Sequence, residues 1–339
     1  MTRTVLRSIP LALLLVAGCA DAWAQSMSRQ IARDLEKMQS YEGVTVEEHI
    51  TGDGPVRRRV TFARPWRVRV ETLAPAAHAG ELFLYDGAQL VMYWPAQRFG
   101  IRVRNLAAPS RADLRRHIER LARDNMAAYA FSLRSQSARV AGQSTYEWRV
   151  TPTRATPNRH RHTVWNHRRY PMPLRVAIAD SAGAPWYHMQ FESITFDQPV
   201  ADDAFAFSFP RNAVVFDWDA GDPGISLPDA REQMNFAVKQ PSYLPRGHQL
   251  GKVIRASHCL PMITLMMNDG ASVLSLTESR DMGLAGPPPG KEVRIGAHTG
   301  VLSFLGPFAT VTWVADGTLL SLTGNIGYPE LLAVAASVN

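Results

Sequence analysis

The sequence predicts an α+β protein that consists mainly of antiparallel β-sheet and is divided into two domains. Apolar and polar residues alternate with a period of two in many short segments, as at Leu174, Val176 and Ile178. Asp-Gly pairs, which are typical of hairpin turns, lie between neighbouring segments at 86–87, 269–270 and 316–317. A chain of 339 residues is long enough for two ordinary domains.

Residues 1–24 are typical of a secretory signal peptide. Arg3 and Arg7 give it a charged start, and residues 11–17 form an apolar stretch that is too short to span a bilayer. Residues 16–19 (VAGC) resemble a lipobox, which would leave an acylated Cys19 at the mature N-terminus. Residues 22–24 (AWA) instead resemble an ordinary A-x-A site, which would release a soluble chain. Both alternatives predict a periplasmic protein, and acylation would anchor it to a membrane.

Charge and cysteine content narrow the possible functions. The formal net charge is +7, from 37 Lys and Arg against 30 Asp and Glu. This balance favours acidic partners or an anionic membrane surface, while the signal peptide argues against nucleic acid. Besides Cys19 the chain contains only Cys259, so an internal disulfide is not expected.

The first domain is expected at 25–214, beginning with a helix at 28–39. Its apolar residues recur at helical spacing after Ser28, a candidate N-cap. Period-two alternation then predicts strands at 44–47, 57–62, 66–71, 81–85, 90–94, 99–103, 129–133, 137–141, 146–151, 174–179 and 186–194. The same alternation continues through Phe205, Phe207 and Phe209.

A second helix is predicted at 110–128, between two of these strands. Its apolar residues recur at helical spacing, and Ser110 with Asp113 resembles a capping box. The arginines on its other faces are either simply solvated or contact lipid head groups or an acidic partner. This candidate basic face consists of Arg115, Arg116, Arg120 and Arg123.

A linker is predicted at 215–240, because residues 215–229 are acidic, rich in turn residues and without periodicity. A smaller α+β domain is expected at 241–339 and ends with a helix at 328–338, which has Pro329 in its first turn. Its strands are predicted at 249–256, 261–267, 271–278, 291–295, 298–304, 308–315 and 318–323.

Several short motifs of the first domain resemble, in their order, those of LolA-like domains. They are Tyr41-x-Gly43, Arg64-Pro65-Trp66-Arg67, and Tyr85-Asp86-Gly87 followed by Tyr93-Trp94-Pro95. The stretch 163–210, with its break at 170–173, its Gly turn and its Phe-rich end before Pro210, also resembles that class. The resemblance implies an unclosed antiparallel half-barrel whose concave face is lined by aromatic residues and covered by helices.

The second domain resembles the C-terminal domain of the MucB/RseB family. Leu244-Pro245-Arg246-Gly247, Asn268-Asp269-Gly270 and the small residues of the last helix carry the resemblance, whereas His248 and the loop 286–290 depart from it. It implies a periplasmic regulator that binds the periplasmic segment of an anti-sigma factor and negatively regulates an extracytoplasmic-function sigma factor. Lipid or lipoprotein sensed in a groove of the first domain would release that segment.

Six aromatic residues are candidates for this hydrophobic groove. They are either the core of a covered sheet or a concave surface that accepts an acyl chain or a hydrophobic peptide. Only the second alternative requires an open or helix-gated cavity. The candidates are Trp66, Phe83, Tyr85, Tyr93, Trp94 and Phe191.

No motif in the sequence predicts catalysis, a cofactor or a metal site. The chain lacks a G-x-S-x-G elbow, a G-x-G-x-x-G loop and a P-loop. His160, His162 and His167 lie among arginines that would repel a cation. His258, Cys259 and Met262 lack a second histidine at a ligand spacing, so a core role is favoured. The remaining alternative to a regulator is a lipid or lipoprotein carrier without a regulatory partner.

Overall fold

The computed structural model describes residues 37–49, 54–105, 129–153, 161–170, 172–179, 183, 185–219, 224–256, 261–268, 273–281, 290–305, 308–324, 326 and 328–339. Most of the regular structure in these ranges is β-strand, arranged in two sheets. None of the helices in the described ranges has the length and apolar character needed to span a membrane.

The first sheet contains twelve strands and is open, with β12 at one edge and β7 at the other. Its strands are β1 Ser40–His49, β2 Val56–Ala63, β3 Arg67–Ala74, β4 Leu82–Tyr85, β5 Leu90–Trp94, β6 Phe99–Arg104, β7 Tyr129–Val140, β8 Gln143–Pro152, β9 Arg161–His167, β10 Pro173–Ala179, β11 Pro185–Phe196 and β12 Val214–Asp219. Their order across the sheet is β12-β6-β5-β4-β3-β2-β1-β11-β10-β9-β8-β7.

Two features of this order join distant parts of the chain. Strand β1 pairs with its neighbour β2 and also with β11, where Tyr41 lies opposite Phe196. Strand β12 runs parallel to β6, with Phe216 opposite Ile101. The other pairings are antiparallel, so β12 is the one strand of the described sheet that pairs in parallel.

The second sheet contains seven antiparallel strands and is covered on one face by two α-helices. Its strands are β13 Gln249–Ala256, β14 Met262–Asn268, β15 Val273–Arg280, β16 Lys291–Ile295, β17 His298–Leu305, β18 Phe308–Ala315 and β19 Thr318–Gly324. The helices are α1 Leu227–Gln233 and α2 Tyr328–Ala336. Ala230, Leu331 and Val334, all fully buried, anchor these helices in the core of the second sheet.

The second domain matches its predicted elements closely. Strands β13, β16 and β18 have the predicted bounds, and α2 begins at the predicted residue. Along each strand every second side chain points to the same face of the sheet, and on β15 two such residues, Leu274 and Leu276, are fully buried.

The helix cover predicted for the first sheet is not confirmed. Both α-helices in the described residues pack against the second sheet. The predicted helix at 110–128 and the greater part of the one at 28–39 lie outside the described residues. Of the latter, Met38 is described and is buried in the core of the first sheet.

Three other sequence-based expectations were wrong in detail. The segment 215–240 is not a plain linker, because it completes β12 and then forms α1. Asp217, one of the acidic residues that suggested a loop, accepts hydrogen bonds from Arg102 and Arg104 of the neighbouring strand β6. The acidic composition of this segment therefore reflects ion pairing within the sheet. The two strands predicted at 129–133 and 137–141 are one bulged strand, β7, which ends at Val140. Phe205 ends a 3-10 turn (Asp202–Phe205), and Phe207 and Phe209 pack over the sheet instead of forming a further strand.

Candidate functional site

Strands β3 to β6 present apolar side chains on both faces of the first sheet. One face is covered by the segment 200–213, under which Leu84 and Tyr93 are buried. We call the opposite side the aromatic face. It comprises the buried residues Tyr85, Leu90 and Val103 and, packed against them, Trp66, Phe83, Met92 and Ile101.

Three of the six predicted groove residues, Trp66, Phe83 and Tyr85, belong to the aromatic face, and two others adjoin it. Phe83 and Tyr85 are two residues apart on β4, and Trp94 continues the face at the end of β5. Phe191 is buried on β11 in a cluster against which Trp66 and Phe83 also pack. Tyr93 is the exception, because it points to the other face and contacts Phe207 and Phe209 at ring distances of 5.5 and 5.9 Å.

The aromatic face is partly filled by the chain's own side chains. Tyr85 and Phe191 are 4% and 3% exposed, whereas Trp66, Phe83 and Trp94 are only half-buried. Trp66 has a positive φ of 107°, and the guanidinium of Arg64 lies 4.5 Å from its ring centre. A non-glycine residue in this conformation is uncommon and marks a constrained site.

A buried polar cluster interrupts this apolar surface. Arg58 of β2 lies opposite Thr45 of β1 and Thr72 of β3, and all three side chains are buried. Arg58 Nη1 donates to Glu47 Oε2, and both side chains are less than one-tenth exposed. Burial lowers the pKa of Arg58, but the adjacent carboxylate of Glu47 outweighs it and the pKa is raised.

Tyr187 of β11 belongs to the same cluster. Burial raises the pKa of its phenol well above the ordinary value, and a hydrogen bond to Glu47 acts in the same direction. The sequence contains a signal for this cluster, although it did not lead to a predicted site. Arg58 lies two and four residues before Val60 and Phe62, so a period of two already places it on their buried face.

A row of apolar side chains leads from the aromatic face to the second domain. The rings of Trp94 and Phe99 lie 5.7 Å apart, and those of Phe99 and Phe216 lie 5.1 Å apart. Phe216 then packs with Met262, the first residue of β14. The two domains therefore share a small buried contact at this end of the aromatic face.

A second concave surface lies where β9 and β11 end. This cleft of about 550 Å³ is lined by His167, Tyr170 and Asp197 together with neighbouring polar residues. His167 Nδ1 accepts the backbone N–H groups of Arg169 and Tyr170, and burial lowers its pKa to about 4, assisted by Arg169. The Tyr170 hydroxyl donates to Asp197, whose other oxygen accepts the N–H of Gln39 at 3.0 Å. These bonds fix the start of β1 to the end of β11.

The other predicted site residues fall outside the described residues or form no site within them. Cys19, the basic face at Arg115, Arg116, Arg120 and Arg123, and His160 are not described. His162 and His167 both lie on β9. Within the described ranges, no group of three or more His, Cys, Asp or Glu side chains is placed to hold a metal ion.

Comparisons with known proteins give one family and a set of similar folds. Residues 21–208 match the model of the MucB/RseB N-terminal domain. The chain is similar to a structure of MucB (15% identity, 95% of this chain and 99% of that chain, TM-score 0.52). It is also similar to the complex of Pseudomonas aeruginosa MucA/MucB (18% identity, 93% and 98%, TM-score 0.51). A LolA superfamily protein from Nitrosomonas europaea matches 54% of this chain and 97% of its own at 13% identity, with a TM-score of 0.26. No curated protein matches the sequence.

Proposed function

Because the chain belongs to the MucB/RseB family, we propose that it is a periplasmic regulator that binds the periplasmic segment of an anti-sigma factor. The second domain would hold this segment and so negatively regulate an extracytoplasmic-function sigma factor. The aromatic face of the first domain would sense lipid or lipoprotein. The complex of MucA and MucB in Pseudomonas aeruginosa, which has a similar fold, motivates the choice of partner.

The apolar row from Trp94 through Phe99 and Phe216 to Met262 supports the coupling between the two domains. An acyl chain on the aromatic face would contact the end of this row and change the packing of Phe216 against Met262. If the two arrangements differ in affinity for the anti-sigma segment, lipid would weaken the binding of that segment by the same factor as the segment weakens lipid binding.

The location of the protein follows from the same proposal. A signal peptide at 1–24 would direct the chain to the periplasm, and processing at Cys19 would add a lipid anchor. Mass spectrometry of the mature N-terminus distinguishes an acylated Cys19 from a free Gln25.

The division of labour between the domains can be tested with exposed apolar residues. Leu250 and Val314 of the second domain are 42% exposed, and Leu133 on edge strand β7 is 39% exposed. We expect Leu250→Asp or Val314→Asp to weaken binding of the periplasmic anti-sigma segment from the same genome at least tenfold, measured by biolayer interferometry. Leu133→Asp is the matched control and should bind normally. If only Leu133→Asp weakens binding, the assignment to the second domain is wrong.

A role as lipid or lipoprotein carrier is the second candidate. It is favoured by the half-burial of Trp66, Phe83 and Trp94, which leaves apolar surface for a passenger. Native mass spectrometry separates the candidates: stoichiometric lipid with no affinity for the anti-sigma segment would favour carriage. Neither candidate assigns a catalytic role to the protein.

A further inference from the structure

The buried guanidinium of Arg58 has a donor without an acceptor. Its Nη1 donates to Glu47, but among the residues that the structure describes its Nε has no hydrogen-bond partner. The side chain is 4% exposed. A buried polar group without a partner is costly, so an unpaired N–H in such a place indicates a water or a ligand atom that completes it.

Arg58 also lines a crevice of the aromatic face. Its lining combines three polar residues, Arg58, Thr72 and Glu81, with apolar side chains that include Val70, Phe83, Met92 and Trp94. The space in which a water molecule could be centred is only about 10 Å³. This is about the room that one oxygen atom needs, and it is too small for a phosphate group.

The charges around Arg58 decide which kind of oxygen fits. Glu47 already neutralises the guanidinium, and a second carboxylate, Glu81, also acts on it. Glu81 lies 2.8 Å from His78 Nδ1. The carboxylates of Glu47 and Glu81 would repel an anionic ligand, and this repulsion is strong because the site is poorly hydrated. A neutral hydrogen-bond acceptor would not be repelled.

We propose that Arg58 Nε is a recognition site for the carbonyl oxygen of a neutral acyl ester or amide whose hydrocarbon chain lies along the aromatic face. This rests on the proposed lipid-sensing function and specifies its ligand class. Phe83, Met92 and Trp94 contact the chain, and the carbonyl fixes its position along the face. A free fatty acid or a head-group phosphate is excluded from the crevice by charge and size.

Two matched amphiphiles test this inference with the mature full-length protein. Monopalmitoylglycerol carries an ester carbonyl, and its ether analogue hexadecylglycerol has the same chain and head without the carbonyl. We expect the ester to bind about tenfold more tightly than the ether in isothermal titration calorimetry, since one charge-assisted hydrogen bond distinguishes them. Palmitate, which carries a carboxylate, should bind more weakly than the ester.

A double variant identifies the donor. Arg58→Met with Glu47→Leu removes both buried charges together, which avoids leaving one of them unpaired, and thermal unfolding verifies that the variant is folded. We expect its affinities for ester and ether to become equal. Arg57→Met is the control, because Arg57 is half-exposed and pairs with Glu192; it should keep the tenfold preference.

The outcomes separate this inference from the function on which it rests. Equal binding of ester and ether by the unmodified protein would mean that Nε is completed by water alone, and would overturn the inference while leaving lipid sensing intact. A preference that survives in the double variant would also overturn it. If neither amphiphile binds, lipid sensing fails as well.

Discussion

Glu278 shows how one residue can make the stability of the second domain depend on pH. It is fully buried on β15, and its Oε2 accepts the backbone N–H of Lys239 at 2.8 Å, which holds the segment before β13 against the sheet. Its Oε1 has no partner among the described residues. Burial raises the pKa of Glu278 from 4.5 to about 7, against the opposing effect of Lys239.

The raised pKa of Glu278 predicts a loss of stability as the pH rises. The folded state binds the proton more tightly than the unfolded state, so the stabilisation is present below about pH 4.5 and is lost as the pH rises through about 7. Glu278→Gln should therefore be more stable than the unmodified protein at pH 8, by up to about 3 kcal/mol, and similar at pH 4.5. Urea unfolding at both pH values measures this.

A control is needed because His167 titrates in the opposite sense. Its pKa is lowered to about 4, so its contribution to stability falls as the pH falls from about 6.5 to 4. The difference between the unmodified protein and Glu278→Gln cancels this contribution. Glu292→Gln, at an exposed position on β16, should leave the pH profile unchanged. A profile for Glu278→Gln identical to that of the unmodified protein would contradict the assignment.

At the scale of elements, the segment 200–213 covers one face of the first sheet. Its Phe209 ring packs directly on β6 at Gly100, where the strand has no side chain. A Cβ atom built on Gly100 of β6 would lie 2.1 Å from Phe209 Cε1. The ring of Phe209 in turn contacts Tyr93 and Phe207. The glycine is therefore required by close approach and not by its backbone angles.

Gly100→Ala should force Phe209 out of its position and destabilise the first domain. We expect a loss of about 1 to 3 kcal/mol, typical of overpacking, measured by urea unfolding. Phe209→Leu should recover part of this loss in the double variant, because a smaller side chain leaves room for the new methyl group. Gly87→Ala is a control without a steric clash, although the positive φ of Gly87 gives it a conformational cost of its own. Additive effects of the Gly100 and Phe209 changes would show that the two residues do not interact.

The sequence did not predict that β12 pairs with β6. Periodicity indicates which side chains share a face, but it carries no information about the partner strand or its direction. The acidic residues at 217 and 219 suggested a loop, whereas in the sheet Asp217 bonds Arg102 and Arg104 at 2.9 and 2.7 Å. These partners are more than 110 residues away in the chain.

In the whole molecule, the contact between Phe216 and Met262 connects the aromatic face with the second domain. We expect Phe216→Ala to retain binding of both monopalmitoylglycerol and the anti-sigma segment but to lose the coupling between them. The factor by which the lipid weakens segment binding should fall towards one, as measured by biolayer interferometry with and without lipid.

Leu133→Ala, on the opposite edge strand, is the control for this coupling experiment. It lies on β7, at the far end of the first sheet from β12, and should retain the full coupling factor. An undiminished coupling factor in Phe216→Ala would place the communication between the domains elsewhere. Loss of segment binding itself would instead show that Phe216 supports the binding surface.

The sequence by itself determined that the chain is rich in antiparallel β-strands, and it placed most strands of the second sheet within two residues of their observed bounds. Alternation and Asp-Gly turns are local signals, which is why they can indicate strands and hairpins without tertiary information. Only the tertiary structure decided that Tyr93 lies on the other face under Phe207 and Phe209, that Arg58 is buried with Glu47, and that β12 lies beside β6. These contacts join residues distant in sequence, and their energies depend on burial and register, which a local pattern does not specify.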